Sequence, residues 1–524
     1  MSFFKNVSKI SLWTIASRVG GFVREMMVAY FLGVGIVVDA LVLALKFPAF
    51  VRRLCAEGTM NTCFVPIFSE VLHKKGEKPA KVFAASIFFI FFFVLLVVTG
   101  LFLLFSANII TFMFPGLLKT PDRLGYAIYY ARIIFPFVVW ISMTAIYGAV
   151  LNAKEYFSAF AASPFLGNIS IIAFVFLGIA FGADTANGVE IGELFAWAIL
   201  FSGFVQFMVV FLDAWRRDLL LPLPTLVWTP ELRSFFRRLF PAAMGAGVAQ
   251  INLFIGLLIA SLLPTGNISY LNYADRLVQL PLSVIGTAMG VVLLPLLVKE
   301  LHKNNVARAN SQQERALGVS SFISFLMTCV LILFAYGFVK VAFEHGRFTA
   351  HDAWQTARAL SAYALGLPAY IMIKILSARF FARGQVVFPL IAGVVGIVVD
   401  IVLSLALIGT LGHVGIALAT SASAWVNVTL LMGLLRWQQE WSPTKSLWLA
   451  LAKIVVLSVG SVCVAWPFVE GLFVTSLTKA QTLFHLMLGG VAFCLLFGGG
   501  ACLLFWPVVR GAFDLCDGHL SKKA

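Results

Sequence analysis

Val82-Phe-Ala-Ala-Ser-Ile-Phe-Phe-Ile-Phe-Phe-Phe-Val-Leu-Leu-Val-Val-Thr-Gly-Leu101 runs for twenty residues without a charge. As a helix rising about 1.5 Å per residue it covers about 30 Å, the thickness of a bilayer's hydrocarbon core. Comparable runs recur from end to end. The approximate spans are 10–33, 36–72, 82–113, 125–151, 159–182, 190–213 and 239–262, then 270–298, 317–344, 358–382, 386–409, 413–436, 447–470 and 481–508. The reading is an all-α integral membrane protein with about fourteen crossings. The second span is long, and Pro48 and Gly58 are expected to break it.

Composition agrees. Apolar residues fill 61% of the 524 positions and charged residues only 12%, with a mean hydropathy of +0.97, outside the balance of a soluble domain. The net charge of +15 does not point to nucleic acid, because no basic block is interleaved with aromatics on a polar segment. Topology accounts for it. Lys5 and Lys9, Lys74 to Lys81, Arg216 to Arg238, Lys299 to Arg315, and Lys522 and Lys523 fall in alternate loops. The other loops hold little beyond Lys119, Arg123, Arg347 and Lys479. Positive loops stay inside, so both termini are expected in the cytoplasm and the number of crossings is even. The first basic stretch lacks a small-residue cleavage site and reads as part of a retained first helix.

Seven cysteines lie mostly inside apolar runs without a CxxC pair, and seven histidines are spread singly. Neither set has metal-ligand spacing, so no resident metal is expected.

An internal repeat divides the chain. Phe64-Val-Pro-Ile-Phe-Ser-Glu-Val-Leu-His-Lys74 matches Leu293-Leu-Pro-Leu-Leu-Val-Lys-Glu-Leu-His-Lys303 at an offset of 229, and Leu151-Asn-Ala-Lys-Glu155 echoes Phe381-Ala-Arg-Gly-Gln385 at 230. Two six-helix lobes in parallel pseudo-repeat follow, at 1–215 and 239–440, joined by a connector at 216–238. Two extra helices and a tail occupy 441–524. Such repeats suit alternating access.

Charges sit where lipid should be: Arg18, Arg24 and Glu25 in the first span, Asp39, Lys46, Arg52 and Arg53 in the second, Asp275 and Arg276 in the eighth, and Lys374 in the tenth. Each costs about 2.5–3.5 kcal/mol at the bilayer centre, so they must face one another or a wet cavity. Ser17 and Arg24 share one helical stripe; Asp39, Lys46 and Arg53 share another. Seven cations stand against three acids. The excess suits an anion that accepts bidentate hydrogen bonds, above all phosphate or pyrophosphate. The alternative is an internal network that pairs Arg24 with Glu25 and Asp275 with Arg276.

Ser17-Arg-Val-Gly-Gly-Phe-Val-Arg24, Asp39-Ala, Lys46-Phe-Pro, Arg52-Arg-Leu-Cys-Ala-Glu-Gly58 and Phe64-Val-Pro-Ile-Phe68 together resemble the N-terminal signature of the MurJ lipid II flippases. Tyr273-Ala-Asp-Arg-Leu277 and Phe381-Ala-Arg383 match further motifs of that family, and the resemblance covers essentially the whole chain. It implies lipid II as substrate, the undecaprenyl-pyrophosphate-linked disaccharide-pentapeptide of peptidoglycan. It further implies a bacterial cytoplasmic membrane and no covalent chemistry. By motif, Arg18, Arg24, Arg52 and Arg276 would bind the pyrophosphate, with Asp39 orienting or balancing them and Asp275 beside them. Lys46, Arg53, Glu57 and Lys374 are secondary candidates.

Some members of the family bind sodium between the seventh and eleventh helices. Here the candidates are Asn252, Asp400 and Ser404, but the seventh apolar core has no acid. No other cofactor is expected. Expected partners are lipid II, membrane lipids and cell-wall synthesis proteins, for a monomeric chain. The rival readings are an exporter of another lipid-linked oligosaccharide or drug, and a membrane glycan polymerase. The polymerase would need an acid pair that Asp184, Glu190 and Glu193 do not form.

Overall fold

A computed structural model describes residues 2–55, 59–222 and 229–469, together with single positions between 481 and 497. The described residues are helical without a strand. They pack as two compact units, Met1–Ser269 and Tyr270–Ala524.

The first unit holds α1 (Ser2–Leu32), α2 (Ile36–Cys55), α3 (Thr59–Lys75), α4 (Glu77–Met113), a short 3-10 turn (Pro115–Lys119), α5 (Pro121–Ile134), α6 (Phe137–Ala153), α7 (Ser158–Ala180), α8 (Gly188–Arg216) and α9 (Pro230–Ser261). α10 (Asn267–His302) starts in the first unit and continues into the second. The second unit adds α11 (Val306–Leu333), α12 (Ala335–Phe343), α13 (Ala350–Ala364), α14 (Leu367–Ala382), α15 (Val387–Leu411), α16 (His413–Trp437) and α17 (Lys445–Val469).

Nine helical stretches among the described residues are long and apolar enough to cross a bilayer. Two of them are broken helices, Pro121–Ala153 (α5 with α6) and Ala350–Ala382 (α13 with α14). The five further crossings expected from hydropathy fall on α1, on α2 with α3, on α9, on α10 and on 481–508. The charges of α1 and α2 lower their hydropathy, while side chains of α9 and α10 and most of 481–508 lie outside the described residues. Pro48 sits inside α2 without ending it; Gly58 lies outside the described residues.

Within the first unit α1 packs on α7, α2 on α5, and α3 on α4, α6 and α9. Its core is aromatic. Phe64 stacks on Phe68 and Phe83, and Phe235 of α9 meets both Phe64 and Phe83 edge-on. Each buried ring removes a large apolar area from solvent, so this cluster fastens α9 to the helices before it. Compact packing therefore carries the first unit through α9, past the connector expected at 216–238. α4 serves two solvents: Phe83, Phe91 and Leu95 are buried, whereas Phe93, Val97 and Leu104 are exposed on an apolar flank.

The repeat is written into the backbone. Pro121–Ala153 and Ala350–Ala382 have the same length, 33 residues each, at an offset of 229. Both pause midway, at Phe135-Pro136 and at Leu365-Gly366. Both end in the same turn. Tyr156 N–H donates to Leu151 O after Glu155 at φ 64°, and Gln385 N–H donates to Phe380 O after Gly384 at φ 71°. Leu151 is thus the counterpart of Phe380, and the second echo belongs at 229, not 230. Glycine is the usual residue in this left-handed position; Glu155 occupies it in the first copy.

Outside the apolar stretches, Lys75 donates to Glu231 at 2.5 Å, tying the end of α3 to the start of α9. The Lys75 ammonium holds the Glu231 carboxyl below its ordinary range. A depressed carboxyl stabilises the fold above the unfolded glutamate value of about 4.3 and ceases to do so as pH falls through its folded value. Because both groups are partly exposed, the pair is worth about 0–1 kcal/mol. Lys75→Ala is expected to lower the melting temperature slightly at pH 7 and not at pH 3; an equal shift at both would remove the electrostatic explanation.

Candidate functional site

In α1, Arg24 is fixed from two sides. Its Nη2 donates to Glu25 Oε1 at 2.7 Å and its Nη1 to Asn168 Oδ1 of α7 at 3.2 Å. Asn168 Nδ2 in turn donates to Ser17 O at 3.2 Å. The shared stripe of Ser17 and Arg24 is therefore real, and one amide reads both ends of it. Gly20 and Gly21 face α7, where a Cβ on either would meet Asn168 in ordinary contact at 3.5 Å. Asn168 was not among the expected site residues. Its signal was an amide in an otherwise apolar span, where polar side chains mark helix contacts. The pairing of Arg24 with Glu25 matches the network alternative, yet Arg24 keeps part of its surface open, at 22% exposure.

Arg18 is exposed on the same helix, and Lys46 and Arg52 are half-buried on α2. The side chains of Arg53 and Asn252, and all of Glu57, lie outside the described residues.

Asp39 has a different setting from the arginines it was expected to balance. It is buried at the start of α2, where Oδ2 accepts from Gly266 N at 2.7 Å and Oδ1 from Ser269 N at 2.8 Å and Ser269 Oγ at 2.5 Å. Arg123, also buried, stands 3.0 Å from Oδ2 and donates to Leu263 O at 3.2 Å. Asp39 thus caps the first turn of α10 from another part of the chain, answering unpaired N–H groups and the positive end of the helix dipole. Gly266 adopts φ 94° to present its N–H, a conformation that suits glycine.

In the second unit Asp275 and Arg276 are half-buried on α10. Asp275 Oδ2 accepts from Gln279 Nε2 at 2.6 Å. Lys374 of α14 is exposed but rests against α10: a Cβ on Gly286 would come within 2.5 Å of its Nζ. Asp400 of α15 is buried, and its Oδ1 accepts from Ser404 Oγ at 3.4 Å and from Thr420 Oγ1 of α16 at 3.3 Å. No cluster of three or more His, Cys, Asp or Glu that could hold a metal occurs among the described residues.

The Arg24 guanidinium, held by an amide and a carboxylate, is a pre-oriented hydrogen-bond donor for an anion.

Known proteins place the chain. A family model described as lipid II flippase MurJ matches residues 28–488. A Rhizobium tropici protein described as a probable lipid II flippase MurJ is 33% identical over 503 residues, covering 94% of this chain and 93% of that protein. One from Rickettsia prowazekii with the same description is 32% identical over 431 residues, 82% of this chain and 83% of its own. Among solved structures, a lipid II flippase MurJ in an inward closed conformation aligns with a TM-score of 0.78 and 25% identity, covering 96% of this chain and 99% of that one. A multidrug resistance MATE transporter of the MOP superfamily aligns with a TM-score of 0.66 at 15% identity, covering 81% of this chain and 95% of its own, a likeness of fold alone. The chain is a multi-pass membrane protein that belongs to the lipid II flippase MurJ family.

Proposed function

We propose that this protein is a lipid II flippase, carrying the undecaprenyl-pyrophosphate-linked peptidoglycan precursor across the bacterial cytoplasmic membrane by alternating access. Family membership over residues 28–488 is the observation that carries the reading. By the family's motifs the pyrophosphate is received by Arg18, Arg24, Arg52 and Arg276, and Glu25 and Asn168 hold Arg24 in place. The polyprenyl tail stays in lipid, where it costs nothing to keep. No bond is made or broken, so the protein is a transporter and not an enzyme. The inside-negative potential, worth about 2.3 kcal/mol per charge per 100 mV, favours outward movement of the anionic headgroup. Both termini lie in the cytoplasm, which a C-terminal reporter active only there would check.

The test is rescue of a flippase-depleted bacterium, scored as outward exposure of lipid II. Wild type should rescue, while Arg24→Ala and Arg276→Ala at matched membrane levels should lose most of it. Each removes a charge-assisted bidentate contact worth about 1.5–3 kcal/mol, a tenfold or greater loss. Rescue by all three would assign the arginines to structure; rescue by none would point to another exported lipid.

A further inference from the structure

One membrane-embedded arginine has no part in the site above. Arg132 lies in the apolar stretch Pro121–Ala153, about 16 Å along the helix from the start of α5. It is exposed on the stripe that also carries Tyr129. An arginine at that depth is expensive unless it meets a polar partner. Its described partner is a hydroxyl: Arg132 Nε donates to Ser106 Oγ of α4 at 2.7 Å. Ser106 is buried and donates its own proton to Leu103 O at 3.2 Å, so its lone pair is turned to the arginine. The guanidinium is thereby aimed, and among the described residues its Nη groups are left to donate elsewhere.

A complementary acid stands beside the same stripe. Glu193 of α8 accepts from Trp197 Nε1 at 3.3 Å and is hydrogen-bonded by Tyr129. Tyr129 and Trp197 are both half open, at 43% and 46% exposure. α5 and α8 start on the same side, since Tyr130 of α5 donates to Val189 O at the first turn of α8. Along this face an acid, a phenol and a guanidinium stand close together. Apolar side chains of α4, including Leu101, Leu104 and Phe105, are exposed on the helix face next to the buried stripe of Phe102, Ser106 and Ile110.

We propose that this face binds one phosphatidylethanolamine molecule of the surrounding bilayer. Its phosphate sits on Arg132, its ammonium faces Glu193, and its acyl chains lie along α4. Charge complementarity selects this occupant. Phosphatidylethanolamine is a zwitterion, and its phosphate and ammonium meet the cation and the anion that this face carries. Tyr129 and Trp197 supply the amphipathic rings that favour headgroup depth.

The full chain, purified in detergent, is titrated separately with phosphatidylethanolamine, phosphatidylglycerol and undecaprenyl pyrophosphate, and bound lipid is counted by native mass spectrometry. Wild type should hold one phosphatidylethanolamine more tightly than phosphatidylglycerol. Arg132→Gln should weaken that binding about tenfold, as loss of a charge-assisted contact does. Ser106→Ala keeps the charge, loses its aim and should fall between. Glu193→Gln should abolish the preference for phosphatidylethanolamine while leaving phosphatidylglycerol binding unchanged, a result that a merely structural role would not produce. Unchanged phosphatidylethanolamine affinity in folded Arg132→Gln and Glu193→Gln would overturn the proposal. So would a loss confined to undecaprenyl pyrophosphate, which would give Arg132 to that lipid.

Discussion

Asp39→Asn is expected to destabilise the protein by about 3–5 kcal/mol, seen as a lower melting temperature of the purified chain and poorer accumulation in membranes. The carboxylate and Arg123 are both buried, 3.0 Å apart. Removing one charge strands the other where water cannot reach it, and also weakens the acceptor for Gly266 N and Ser269 N. Removing both charges should be far less harmful, because a buried ion pair is itself only weakly stabilising against an apolar substitute. Asp39→Asn combined with Arg123→Met should therefore recover much of the loss. If the double variant is as unstable as the sum of the single ones, the pair is not the reason Asp39 is needed. A loss of transport that persists in a restabilised double variant would give Asp39 a role in the substrate site as well.

Gly116→Ala should also be damaging, for a steric reason. Gly116 lies in the 3-10 turn after α4, where an added Cβ would stand 2.3 Å from Ser261 O and 2.6 Å from Leu262 N at the end of α9. Those are backbone atoms, and no rotamer change relieves them. The turn or the helix end must move, at a cost of about 1–3 kcal/mol and more where the surroundings resist. Gly100 makes the control: it lies inside α4 with nothing near its missing Cβ, so Gly100→Ala should be neutral or mildly stabilising through helix propensity. Equal melting temperatures for Gly116→Ala and wild type would mean that the end of α9 yields freely.

Long apolar runs made the membrane fold legible, because hydropathy integrates over twenty residues and tolerates errors at the ends. Errors at the ends are what hid Arg123. The fourth span was expected from 125, but Pro121 opens α5 four residues earlier, which moves Arg123 from a loop into a buried first turn. Its partner was visible as an intramembrane acid, yet nothing local connects residue 39 to residue 123 or to residue 269. Arg24 shows the opposite case. Its stripe with Ser17 followed from helical periodicity, and Glu25 is its neighbour in sequence. Asn168, 144 positions from Arg24, depends on how α1 crosses α7, which periodicity alone does not supply. The repeat was readable through Pro66 and Pro295, while its shifted echo at Leu151 was corrected by the backbone turn, since Glu155 and Gly384 share a conformation but no chemistry.

The cap on α10 also sets an order of events while the chain is being made. Asp39 leaves the ribosome before any of its partners. Its ion-pair partner follows 84 positions later, and the N–H groups of Gly266 and Ser269 come 227 and 230 positions after it. At about 5–20 residues per second, the acid waits several seconds for Arg123 and longer still for α10. Until then the second crossing holds a charge with no completed shell, and it must be sheltered by water or by the insertion machinery. A nascent chain that stops short of residue 269 therefore cannot finish its first half, although every helix before that point has been synthesised.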